Sequence, residues 1–265
     1  MMARLVRIEL VKLRTVRATY GLLATTALLT AIIATAEASR AGSGSVASLA
    51  TASGLTAVTT LTGWAMLLAA VLGVMISAGE FRHATATLTY LASPHRGRVL
   101  AAKAAAAACA GAIFGLIGAL VATGIGIAFA AGSGQPIALS TTALIGHGAG
   151  AILGAALLAA LGVALGSLLR SQLAGIIGVL VWALIIEPII GGLFTTVRPY
   201  LPYTTATTLA GAPLGAGPGG FRVAVHHGSA VAGPLPFAAA AVLLLAITVL
   251  LSAAAFETTV QHDIT

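Results

Sequence analysis

Charge is scarce in this sequence. Charged residues make up 7% of the chain, and Asp and Glu together number 6 among 265 residues. Water-soluble domains carry about 25% charged residues, so that class is excluded. The single cysteine, Cys109, rules out a disulfide within the chain, and its run of alanines marks it as a small packing residue. No Lys/Arg stripe interleaved with aromatics is present, which leaves nucleic-acid binding without a footprint. Missing too are H-E-x-x-H, G-x-S-x-G and an intramembrane Asp pair, so an intramembrane hydrolase lacks its chemistry. His226 and His227 are adjacent but have no further ligand nearby, and no metal site is expected. The alternating ten-residue segments of a membrane barrel are also missing.

What is present is apolar. Hydrophobic residues are 59% of the chain and the mean hydropathy is +1.07. Runs of about 20 apolar residues each suffice to cross roughly 30 Å of hydrocarbon as a helix. The pattern predicts an all-α polytopic membrane protein, with residues 1–265 forming a single transmembrane domain. Six spans are expected near 18–36, 58–79, 104–130, 142–169, 173–194 and 235–256. Scarce lysine with abundant arginine, alanine and glycine points to a GC-rich bacterial genome, hence a bacterial cell membrane.

Basic residues set the orientation. With the N-terminus inside, Arg4, Arg7, Lys12, Arg14, Arg17, Arg82, Arg96, Arg98, Lys103 and Arg170 fall on the cytoplasmic side. Only Arg40, Arg198 and Arg222 fall outside. The positive-inside rule then places both termini in the cytoplasm.

Residues 2–17 form a basic amphipathic segment. On a helix Val6, Leu10 and Leu13 share one face and Arg4, Arg7 and Arg14 lie opposite, while Glu9 reaches Lys12 at i,i+3. An interfacial helix with its basic face toward anionic headgroups is expected. The competing reading is a signal-peptide n-region, with Ala34-Thr35-Ala36 as a cleavage pattern. The outer loop at 37–57 is rich in Gly, Ser, Ala and Thr. The outer loop at 195–234 mixes Pro, Tyr and apolar residues and predicts short helices dipping into the interface.

Glycines at four-residue spacing, Gly111/Gly115, Gly146/Gly150/Gly154 and Gly162/Gly166, predict closely packed helix faces, some of them at a subunit interface. Glu187 is the one acidic residue well inside an apolar run, and Pro188 after it predicts a kink or break. Two readings stand: a hinge or polar spot near an outer gate, with Arg198 as partner, or a structural break at the interface. His147 reads as a packing histidine, because a proton relay would need a chain of such groups.

One polar interval stands apart, GEFRHATATLTYLASPHRGRVLAAK at 79–103. A helix from Glu80 puts Glu80, His83, Thr87 and Tyr90 on one face, and Phe81, Ala84, Leu88 and Leu91 on another. Ser93-Pro94 ends it, and a turn at 95–97 leads back to the membrane. Taken by itself the interval also fits an ordinary inner loop with snorkelling side chains.

This interval resembles the first cytoplasmic loop of ABC transporter permeases of the type-2 exporter superfamily. Those loops read E-[FY]-R-x-[GA]-T, a short helix, P-x-R-[GT]-R, then a lysine entering the third span. Glu80, Phe81, Arg82, Thr85, Pro94, Arg96, Gly97, Arg98 and Lys103 match, and Ala84 stands where glycine is commoner. The opening E-L-V-K-L-R at 9–14 and the six-span plan with a long last outer loop are similar too. The specific motifs span about 40 residues.

The resemblance implies a cytoplasmic coupling helix that fits a groove on a separate ATP-hydrolysing subunit. Glu80, Phe81, Arg82, His83, Thr85, Thr87, Arg96 and Arg98 would make that contact. It also implies a second permease copy, identical or not, and an exporter of hydrophobic or amphipathic cargo such as a drug, peptide antibiotic or lipid. The chain lacks a G-x-x-x-x-G-K-[ST] loop, and its only lysines are Lys12 and Lys103. ATP and Mg would therefore sit on the partner, and this chain is expected to be neither an enzyme nor a cofactor binder. A stand-alone ion-coupled transporter and a non-transporting membrane scaffold are the alternatives.

Overall fold

A computed structural model describes residues 2–44, 46–82, 96–214 and 233–261. Side chains at 80–82, 96 and 258–261 lie outside that description. Among the described residues all regular structure is helical. The elements are α1 (Met2–Thr15), α2 (Arg17–Arg40), α3 (Ala52–Thr59), α4 (Gly63–Arg82), α5 (Arg96–Gly132) and α6 (Thr141–Leu169). They continue as α7 (Gln172–Val181), a π-helical turn (Trp182–Ile186), α8 (Glu187–Leu193), a 3-10 turn (Arg198–Tyr200), α9 (Pro202–Leu209) and α10 (Phe237–Gln261).

Six stretches are long and apolar enough to cross a membrane: Arg17–Arg40, Ala52–Gly79, Gly97–Gly132, Thr141–Leu169, Gln172–Leu193 and Phe237–Glu257. Three of them start at a hydroxyl N-cap, Thr51, Ser140 or Ser171. Ser140 accepts a hydrogen bond from the Ala143 N–H at 3.2 Å to start α6. Arg170 ends it in the left-handed region at φ 50, and Ser171 accepts from the Ala174 N–H at 3.3 Å to start α7. So short a link makes α6 and α7 an antiparallel pair.

The core is built around α6, which packs against α4, α5, α9 and α10. Lipid-like surroundings give helices no apolar driving force for association, so close backbone approach must supply it. The α6 face at Gly150, Ala151, Gly154, Ala155, Leu158, Ala159, Gly162, Val163 and Gly166 is buried accordingly. A Cβ at Gly154 would lie 2.9 Å from the Ala206 carbonyl oxygen, one at Gly166 would lie 2.9 Å from that of Val74, and one at Gly111 would lie 2.5 Å from that of Ala155. Gly115, Gly150 and Gly162 meet the carbonyls of Ala151, Leu209 and Ala70 more closely still. Gly146, the first of the three at 146, 150 and 154, faces open space. A buried hydroxyl pair joins α4 to α6: Ser167 donates to the Val163 carbonyl at 2.9 Å, so Ser77 donates to Ser167 at 2.6 Å.

Two helix boundaries differ from expectation. The second apolar run is interrupted at 60–62, where the Thr60 hydroxyl donates to the Thr56 carbonyl at 2.8 Å and the Thr62 N–H to the Thr60 carbonyl at 2.7 Å. Threonine hydroxyls compete with the helical ladder in this way. The third run begins as helix at Arg96 rather than after a turn at 95–97, and α5 is 37 residues long. At 1.5 Å per residue it measures about 55 Å, well beyond roughly 30 Å of hydrocarbon.

The contacts define two ends. One, the near end, holds α1, the start of α5 and the end of α10, with the Phe256 ring lying over Gly97. The far end holds 41–51, 133–140 and 194–214.

Candidate functional site

The far end contains a carboxylate built into the fold. Pro188 has no N–H for the carbonyl four residues before it, and the helix widens ahead of it. The Glu187 N–H bonds to the Trp182 carbonyl, the five-residue reach of a π turn. This rotates the Glu187 side chain toward α9, whose first residue is Pro202 and whose N-cap, Leu201, has no side chain able to cap it. Glu187 does that work from another helix. Its Oε1 accepts from Trp182 Nε1 at 2.8 Å and from the Tyr203 N–H at 2.7 Å. Its Oε2 accepts from the Thr204 N–H at 2.9 Å and from Thr204 Oγ1 at 3.1 Å. All four partners are donors, two are free N–H groups of a helix N-terminus, and Glu187 is 2% exposed.

Sequence reasoning singled out Glu187 and Pro188 but not Trp182, Tyr203 or Thr204. The available signal was the start of α9: a proline preceded by leucine leaves helix N–H groups that something else must satisfy.

Arg198 does not meet Glu187. Among the described residues no ion pair joins them, and Arg198 packs its aliphatic stem against Gly191. The residue is 4% exposed and Nη1 is buried without a hydrogen-bond partner. Burial pushes the guanidinium below its usual range. Burial, and secondarily the charge on Glu187, pushes the Tyr203 phenol up, and its hydroxyl is likewise unpartnered. An orphaned buried donor costs roughly 1–3 kcal/mol. Arg198→Met, which keeps the stem and drops the head, is therefore expected to raise stability by about 1–2 kcal/mol. Thermal unfolding in detergent checks it, and a fall in melting temperature would contradict the reading.

His147 joins three elements at this end. Its Nδ1 lies 3.3 Å from Thr59 Oγ1, and its ring fills the space over Gly211, whose φ of +80 suits only glycine there. Between α2, α3 and Gly211–Pro213 lies a cavity of about 240 Å³ with Glu37 on its wall. That is smaller than the 300–1,000 Å³ typical of ligand pockets.

The near end gathers charge. Glu9 is 7% exposed and Lys103 4%. Glu9 Oε1 lies 2.8 Å from Lys12 Nζ, and Oε2 lies 3.6 Å from Lys103 Nζ. Val6, Leu10 and Leu13 turn the apolar stripe of α1 onto the helix bundle, and Arg4, Arg7 and Arg14 are exposed. Arg98 is exposed in the first turn of α5. Glu80, Phe81 and Arg82 form the last turn of α4 in backbone only, and Arg96 opens α5 in the same sense. His83, Thr85, Thr87 and the helix expected around them lie outside the described residues. Among the described residues no group of three or more His, Cys, Asp or Glu is placed to hold a metal ion.

No protein-family model matches the chain, and no curated protein matches it.

Proposed function

We propose that this chain is the membrane-spanning permease subunit of an ATP-binding-cassette exporter. A separate cytosolic ATPase, carrying ATP and Mg, would drive it through the 79–103 interval. The observation that carries the proposal is the Glu9–Lys103 pair. The two segments that resemble type-2 exporter permeases, at 9–14 and 80–103, are far apart in the chain. They meet in a buried ion pair at 3.6 Å, beside the helix that the polar interval feeds. A loop gripped by a motor needs such an anchorage, because force applied to an unattached hairpin moves only the hairpin.

In this reading both termini and the 79–103 interval are cytoplasmic in a bacterial cell membrane. Two permease copies assemble with two ATPase subunits, and the uncharged span surfaces suit hydrophobic or amphipathic cargo. The ion-coupled alternative needs a carboxylate free to take up and release a cation. Glu187 has its acceptor sites occupied by protein donors, which weighs against it.

The test is co-purification from detergent with the candidate ATPase, co-expressed. The parent should retain the ATPase and its ATP turnover. Glu80→Ala combined with Arg82→Ala should lower the retained turnover at least tenfold, the loss of about 1.4 kcal/mol of binding or more, while membrane insertion is unchanged. Full retention by the double variant would remove the loop from the coupling role. A parent that binds no ATPase would favour the scaffold alternative.

A further inference from the structure

Arg198 is a buried cation without a counter-ion among the described residues. It is 4% exposed, and its Nη1 is buried with no hydrogen-bond partner. The whole sequence has 6 acidic residues to offer it. Glu9, Glu80 and Glu257 belong to the near end, and Asp263 follows α10. That leaves Glu187 and Glu37 for the far end. Glu187 commits both oxygens to Trp182, Tyr203 and Thr204. Glu37 lies on the wall of the cavity between α2, α3 and Gly211–Pro213. Among the described residues no ion pair joins it to Arg198. A buried charge left unpaired is strongly destabilising, so its retention points to an anion from outside the chain.

We propose that Arg198 is a phosphate-binding residue that takes up the headgroup of a membrane phospholipid at the far end. Depth argues for it. The fifth apolar stretch, Gln172–Leu193, has 22 residues and measures about 33 Å, enough to cross the hydrocarbon. The Arg198 stem packs on Gly191, just inside the end of that stretch. A Cβ there would lie 3.0 Å from the Arg198 Cγ, so the glycine makes room for the stem and keeps the guanidinium at headgroup level. The surroundings argue for a lipid over a soluble anion. Ile189, Leu193, Phe194, Val197 and Tyr200 flank it in the chain and are exposed, an apolar and aromatic skirt of the kind found at membrane interfaces. A phospholipid brings acyl chains to that skirt and phosphate oxygens to the guanidinium, whose planar fork of donors suits them. The Phe194 and Tyr200 rings, each more than half exposed, can turn aside to admit it. The proposal needs only that the chain spans a membrane, and it stands or falls apart from the exporter reading.

The test uses the purified full chain, delipidated in a neutral maltoside detergent. It carries Arg4→Gln, Arg7→Gln and Arg14→Gln throughout, so that near-end arginines do not mask the result. Phosphatidylglycerol, the diacylglycerol with the same chains, or inorganic phosphate is then added. Melting temperature and the lipid retained in native mass spectra are the readouts. Phosphatidylglycerol should raise the melting temperature, and diacylglycerol should raise it less. Without lipid, Arg198→Met should melt higher than the chain that keeps Arg198, because the orphaned head is gone. With phosphatidylglycerol that order should reverse, and the affinity of Arg198→Met for the lipid should be lower by about tenfold or more. Arg198→Lys, which keeps the charge without the fork, should retain an intermediate share. An equal gain from phosphatidylglycerol in Arg198→Met would overturn the proposal. A lower melting temperature for Arg198→Met without lipid would do the same, by showing the head already satisfied within the protein. A full gain from inorganic phosphate alone would make this a site for free anions and overturn the lipid assignment. Loss of both the gain and a dimer in Glu37→Gln would also overturn it, since the counter-ion would then belong to a second copy.

Discussion

Glu187→Ala is expected to lower stability by about 3–5 kcal/mol, read from thermal unfolding in detergent and from a shift in Trp182 emission. The change strips the acceptor from two backbone N–H groups at the start of α9, from the Trp182 indole and from the Thr204 hydroxyl at once. Hydrogen bonds to charged groups contribute about 1.5–3 kcal/mol each, and water entering the vacated space recovers part of that. Glu187→Gln should cost roughly half as much, because its oxygen still accepts while its amide faces donors. Unfolding of Glu187→Ala within a degree of the parent would show that α9 is held by packing and not by this carboxylate. Under the exporter proposal, a variant that folds normally yet loses export would return Glu187 to the gate role. Under the same proposal, full export with normal folding in Glu187→Gln would remove the gate idea.

Gly150→Leu should be nearly as severe, about 3 kcal/mol or more, and Gly146→Leu should be close to neutral. Overpacking a tight contact usually costs about 1–3 kcal/mol. At Gly150 the obstacle is the Leu209 main chain, which has no rotamer to adopt, so α9 must lift off α6. Lifting α9 also moves Tyr203 and Thr204 from Glu187, so the Gly150→Leu and Glu187→Ala losses should fall short of additive. Gly146 faces open space and has room for the leucine. Equal effects at the two positions, in the same unfolding assay, would contradict the packing described for α6.

The sequence made the six apolar helices legible because hydrophobicity over about 20 residues is a local property. The four-residue glycine spacing was legible too, though not which row would be used. Gly146 and Gly150 look alike in the chain, and only the route of α9 across α6 separates them. The break at 60–62 has no proline to announce it, and threonine hydroxyls act through geometry that composition does not carry. At the far end the Glu187–Pro188 break was readable from proline chemistry alone. Its partner was not, because Tyr203 is 16 residues further on across a change of direction. The expected Glu187–Arg198 pairing rested on opposite charge, and α9 offered the carboxylate a better set of donors. At the near end the i,i+3 pair of Glu9 and Lys12 was readable as local. The Lys103 contact depends on how α1 folds back onto α5.

The unbroken run of α5 has a mechanical corollary. The second and fifth apolar stretches are interrupted, at 60–62 and at the π turn, and can flex there. A helix of 37 residues without such a joint behaves as a stiff beam pivoted where it crosses α6. A tilt of about 10° about that crossing then displaces each tip by about 5 Å, the pitch of one helical turn. Displacement entering near Lys103 would reach the opposite membrane face undamped, whereas the two jointed stretches would absorb theirs.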